Sequence, residues 1–131
     1  MTTSATTPTQ KAVQAYHQAR FTGDVAAAAA QLAGTFTFQS PLISSGDAHG
    51  HLAGLTGFLH IVTGVEMISE LYGESEATLV YDVHTATPVG VQRTAEHFRL
   101  RDGRIESITL IFDATRWHPI MAAAAQAETA P

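Results

Sequence analysis

Apolar positions recur at two different periods along this chain, and the change falls at Gly64. Before it, Ala12, Val13, Tyr16 and Ala19 make one stripe at helical spacing, opened by Pro8 and Thr9 and ended by Gly23. Asp24 is placed to cap a second, alanine-rich helix running through Leu32, which Gly34 stops. Residues 35–40 alternate strictly, so Phe36, Phe38 and Ser40 share one face of a short strand, and Pro41 limits its continuation. Residues 44–50 cluster turn formers and read as a loop. From His51 to Thr63, Leu52, Leu55, Leu59 and Val62 fall at the spacing of an amphipathic helix. Beyond Gly64 the period drops to two. Residues 65–72, 77–86, 91–101 and 104–113 read as four strands, antiparallel because their connections are short, with turns at residues 88–90 and at Asp102-Gly103. The small polar residues 2–7 have nothing to bury and predict a mobile tail, and the alanines after Pro119 predict a short frayed helix. The organisation is therefore a tail over residues 1–8 and a single domain over 9–131.

Helices first and antiparallel strands afterwards describe an α+β domain. The expected architecture is a cone-shaped α+β barrel, with three N-terminal helices packed in a strongly curved, mainly antiparallel sheet. A pocket forms where such a sheet curls around its helices. Composition narrows the partners. A net charge of −5 with only 7 Lys and Arg argues against nucleic acid or an anionic membrane surface. With no cysteine, disulfides and thiolate metal sites are excluded. The chain lacks an apolar run of membrane-spanning length and a signal-peptide pattern at its start, so a cytoplasmic protein is expected.

One residue breaks the pattern in a way that points to chemistry. Glu96 falls on the same strand face as Phe98 and Leu100, and a carboxylate aimed at an apolar face is costly unless paired, protonated or used. Tyr16 lies on the apolar stripe of the first helix. With Phe36-Thr-Phe-Gln-Ser-Pro41, Glu96-His-Phe-Arg and Asp102-Gly-Arg-Ile, these elements carry a resemblance to the nuclear transport factor 2-like superfamily, over nearly all of residues 9–117. Within it the chain looks most like the SnoaL-like and ketosteroid isomerase-like members. The resemblance implies chemistry on a small apolar carbonyl compound without cofactor. Tyr16 falls at the oxyanion-binding tyrosine, and Glu96 at a protonated carboxyl that donates to the same oxygen; that isomerase is a standard case of a carboxylic acid kept neutral by an apolar site. Ser40 stands where the isomerase has its proton-shuttling aspartate, so the base half is missing and steroid isomerisation by that route is not expected. The epoxide hydrolase arrangement fits no better, because Leu110 stands where its second aspartate would be.

The residues themselves leave alternatives open. Asp82 and His84 share one strand face and make a candidate general-base pair if the family comparison turns them inward; alternation instead places Leu79, Tyr81 and Val83 inside. Tyr16 and Glu96 are candidate paired donors to a ligand oxygen, or Glu96 is a structural carboxyl satisfied by a tyrosine, water or backbone. Phe36, Phe38, Ser40, Phe98, Leu110 and Phe112 are expected to line the pocket. Asp47, His49 and His51 are of metal-ligating type but sit in a loop-like run, and neither metal nor cofactor is implied. Arg93, His97, Arg99 and Arg101 are expected on the outer face and Trp117 at the cone mouth or an interface. The expected partners are a small apolar ligand or substrate and a second copy of the chain in a homodimer. The rival reading is a non-catalytic module of the same fold that binds a small molecule or a protein.

Overall fold

The computed structural model describes residues 7–129. The expected tail lies outside the described residues as far as residue 6; Thr7 and Pro8 belong to the start of the first helix. The Thr7 hydroxyl accepts from the Gln10 N–H, and Pro8 occupies the first turn, where a missing N–H costs nothing, so α1 spans Pro8–Phe21. Its expected stripe is its buried face: Ala12, Val13, Tyr16 and Ala19 are all inside.

Two boundaries differ from the pattern reading. Asp24 does cap α2 (Val25–Ala29), but that helix stops short of Leu32, which enters β1 (Leu32–Gln39) and pairs with Ile105. Pairing in a sheet outweighs the helix propensity of an alanine run. A two-residue strand, β2 (Ser44–Ser45), lies in the segment read as loop, and α3 (Ala48–Leu59) begins within it because Asp47 accepts from the Gly50 N–H at 2.8 Å. Val62 consequently falls in β3 (Val62–Tyr72) rather than on a helix.

The remaining strands match their expected positions closely: β4 (Glu76–Thr85), β5 (Val91–Arg101) and β6 (Arg104–Ile111), followed by α4 (His118–Thr129). Asp102 (φ 52°) and Gly103 (φ 76°) both adopt the left-handed backbone that a two-residue β-hairpin turn requires. The six strands form one sheet in the order β2-β1-β6-β5-β4-β3, antiparallel throughout except where β1 runs parallel to β6. Register shifts in the β3–β4, β5–β6 and β1–β6 pairings bend the sheet. It curls around α1 and α3 without closing.

The core lies on the concave side. Val13, Tyr16, Phe36, Leu79, Tyr81, Phe98, Ile105 and Ile108 are fully enclosed there. Burying side chains of this size contributes about 1.5–3 kcal/mol each relative to exposure. On β4 the alternation is decisive, since Leu79, Tyr81 and Val83 face inward and Asp82 and His84 face outward. No helix among the described residues is long and apolar enough to cross a membrane.

Candidate functional site

At the base of the cone lies a buried ion pair joining the first helix to the fifth strand. Arg20 is one turn beyond Tyr16 on the inward face of α1, and Glu96 projects from the concave face of β5. The guanidinium grips the carboxylate with two parallel bonds, Nη1 to Oε2 at 2.6 Å and Nη2 to Oε1. The Tyr81 hydroxyl donates to Glu96 Oε1 at 2.7 Å, and Arg20 Nη2 also lies 2.7 Å from His17 Nδ1. The rings of Tyr16, Phe21 and Tyr81 surround the guanidinium, with its carbon 4.8–5.5 Å from their centroids.

The electrostatics follow from this geometry. Burial pushes the Glu96 carboxyl up, but the charge and hydrogen bonds of Arg20, with the bond from Tyr81, outweigh it and hold Glu96 below the usual glutamate value. Burial works against the Arg20 charge too, and Glu96 reverses the effect. The pair is ionised and mutually neutralised. Burial lowers His17 to about 4, with the nearby Arg20 charge acting in the same direction.

A second buried pair stands beside the first. His51, in the first turn of α3, is turned inward by the Asp47 cap and packs between Phe36 and Phe38 of β1, with ring centroids 5.1 and 4.3 Å away. Its Nε2 lies 2.6 Å from the Tyr16 hydroxyl oxygen. Burial raises the Tyr16 phenol and lowers His51 to about 4, so both are neutral near pH 7.

Above these pairs opens a cavity of about 360 Å³. Its walls are largely apolar: Phe21, Phe38, Leu42, Leu55, Phe58, Val83, Leu110, Phe112, Trp117 and Ile120 contribute. Among the described residues, the polar side chains that reach it are Arg20, Ser40, His51, Tyr81, Gln92 and Thr94, and no carboxylate lines it. Trp117 is buried at the rim and donates through Nε1 to Gln92 Oε1 at 2.8 Å.

The structure separates several residues that the sequence reading had grouped. Tyr16 and Glu96 were candidate paired donors to one ligand oxygen, the alternative being a structural Glu96 satisfied by a tyrosine, water or backbone, and the arrangement is of the second kind. Glu96 is an ionised acceptor engaged by Arg20 and Tyr81, Tyr16 is engaged by His51, and neither lines the cavity. Asp82 and His84, the candidate inward base, stand on the outer face, because the pleat that brings Tyr81 and Val83 inside turns them out. There Asp82 takes two bonds from Arg93, at 2.9 and 3.0 Å, and His84 lies 3.6 Å from Glu66. Phe38, Ser40, Leu110 and Phe112 line the cavity as expected, whereas Phe36 and Phe98 are buried behind it. The Ser40 hydroxyl is spent on its own turn, donating to the Ile43 carbonyl and accepting from the Leu42 and Ile43 N–H groups. Asp47, His49 and His51 part company: a helix cap, an exposed side chain and a core histidine.

Sequence reasoning missed Arg20, His17 and His51 as members of the site. The signal for Arg20 was its place four residues after Tyr16, on a face that otherwise carried only apolar or small side chains. Nothing local distinguished His51 from its exposed neighbour His49.

No protein-family model matches the sequence, and no curated protein is measurably similar to it. Solved structures are similar. A protein of Kribbella flavida superposes with a TM-score of 0.77 at 29% identity, over 88% of this chain and 95% of that one. A nuclear transport factor 2-like protein of Cytophaga hutchinsonii gives 0.72 at 17% identity, over 88% and 98%. A steroid delta-isomerase of Pseudomonas aeruginosa gives 0.73 at 14% identity, over 94% and 96%.

Proposed function

We propose that this chain, which has the nuclear transport factor 2-like cone fold, takes up a small, neutral, largely apolar molecule in its cone. The observation that carries this reading is the apolar cavity, whose base is a charge-neutral polar layer and which no carboxylate lines among the described residues. The volume is within the range of small-molecule sites. A charged ligand would have to leave water without finding a free counter-ion, because Arg20 is already neutralised by Glu96. The homodimer expected from the sequence belongs to the same proposal. Leu71 and Ile111 stand exposed on the outer sheet face, where a second copy would cover them.

A catalytic version, isomerase- or cyclase-type chemistry on a carbonyl compound, is the second reading. It is supported by the presence of His51, a hydrogen-bonding group, on the cavity wall. The lack of a carboxylate base there among the described residues, with Ser40 committed to its turn, favours binding alone.

The test is a titration with a neutral naphthyl ketone dye whose emission shifts to the blue in apolar surroundings. Saturable binding to the native protein is expected. Leu110→Trp, which fills the cavity, should abolish it, and Ile111→Ser on the outer face should not. A dye that fails to bind, or that binds Leu110→Trp equally well, contradicts the proposal.

A further inference from the structure

Resting on that reading, we propose that His51 determines what the cavity selects: Tyr16 locks it in the tautomer that presents a hydrogen-bond donor, so the preferred ligand carries an acceptor oxygen such as a ketone or quinone carbonyl. The Tyr16 hydroxyl oxygen lies 2.6 Å from His51 Nε2; of the two charged groups that also act on it, Arg20 can only donate, and Glu96 makes no hydrogen bond to it, its oxygens being engaged by Arg20 and Tyr81. If Nε2 carried the proton and donated, the buried Tyr16 O–H would have no acceptor among the described residues. If Tyr16 donates instead, its proton is satisfied and the imidazole proton is placed on Nδ1. Each arrangement leaves one donor of this pair without a protein acceptor among the described residues, but in the first it is the O–H of the fully enclosed Tyr16, and in the second it is Nδ1–H, which is not sealed within the protein. The neutral states of both side chains are consistent with it.

Nδ1 is then the free end of the relay. It has no hydrogen-bond partner among the described residues. Nor is it sealed away, since the buried side-chain nitrogen or oxygen without a partner among those residues is Arg20 Nε. His51 lines the cavity, and in this proposal that is where Nδ1–H opens. The other polar groups offer less. The Arg20 Nη atoms are taken by Glu96 and His17, Tyr81 donates to Glu96, Ser40 donates within its turn, the Thr94 hydroxyl donates to the Gln92 carbonyl, and the Gln92 amide nitrogen donates to the Arg93 carbonyl. The Phe36 and Phe38 rings hold the imidazole in place, so the donor is pre-oriented and a ligand orders little on binding.

A donor without a nearby base selects by what it must bond. An acceptor of the right shape satisfies Nδ1–H, whereas a hydrocarbon of the same shape displaces solvent from it and leaves it bare. The experiment compares 2-acetylnaphthalene with 2-isopropenylnaphthalene, two molecules of matched shape that differ in the carbonyl oxygen. The native protein is expected to bind the ketone about tenfold more tightly. Tyr16→Phe frees the tautomer and should shrink the difference to about twofold, and His51→Phe should erase it while both molecules still bind. Long-range 1H–15N NMR correlations on the unliganded native protein supply a readout that needs no variant, with the His51 proton expected on Nδ1. Equal binding of the two naphthalenes to the native protein, or a His51 proton on Nε2, overturns the inference and leaves the apolar cavity standing. Failure of both molecules to bind overturns the cavity reading together with it.

Discussion

Glu96 shows how a buried charge can be essential to a fold without facing a ligand. Its carboxylate is completely enclosed, and its partners come from α1 and β4. Removing one member of such a pair leaves the other as an uncompensated buried charge, so Glu96→Gln should destabilise the protein by about 3–5 kcal/mol. Replacing both, as Arg20→Met with Glu96→Leu, should recover most of that loss, because the desolvation cost disappears with the charges. Urea unfolding of the three proteins checks this; a Glu96→Gln variant as stable as the native chain would contradict it. That Glu96 lies on the inner face was legible, since it alternates in step with Phe98 and Leu100. Its partner was not, because Arg20 comes from an element 76 residues away and no local pattern encodes such a pairing.

The histidines set a pH dependence at the same scale. His17 and His51 are neutral in the fold and titrate at about 4, against 6.5 when free, in both cases chiefly because burial disfavours the charged ring. Below pH 6.5 the unfolded chain therefore gains protons that the folded chain refuses. Their contribution is complete above that pH and is lost progressively as pH falls to about 4, each histidine accounting for roughly 2–3 kcal/mol. Unfolding midpoints measured between pH 7 and 4 should fall steadily, and a flat profile would contradict the burial of both rings.

At the scale of elements, the position of His51 depends on where α3 starts. The Asp47 carboxylate caps that helix, and His51 lies in the turn immediately following. Asp47→Ala should cost about 1 kcal/mol of stability and, by loosening that turn, weaken naphthyl ketone binding several-fold. A loss of stability with binding unchanged would mean that packing against Phe36 and Phe38 alone fixes the ring. The strands β3 to β6 were readable because period-two alternation and turn chemistry agree along them, most clearly at Asp102-Gly103. The α3 boundary was misread because the leucine spacing runs on past the helix into Val62, while the cap sits inside a cluster of turn residues. In the same way α2 looked longer than it is, since Leu32 is claimed by a strand that forms only when β6 is present to pair with it.

For the whole molecule, the path of the chain sets which faces meet. The parallel pairing of β1 with β6 joins a strand near the start of the chain to one near its end, and brings Phe38 and α3 over the cavity beside Leu110. No turn signal encodes that contact, so the cone could be expected from element order and family likeness, while residue spacing alone does not yield it. The cavity itself was legible as a consequence of curvature. Its polar content was not, because every group that matters is positioned by a partner from elsewhere in the sequence. What this cone holds, on our reading, is a neutral apolar molecule anchored on His51. The most direct measurement is a crystal structure of the protein in complex with 2-acetylnaphthalene. The rings are expected among Phe38, Leu110, Phe112 and Trp117, with the ketone oxygen about 3 Å from His51 Nδ1. A ligand found outside the cone, or a cone closed by its own side chains, would contradict it.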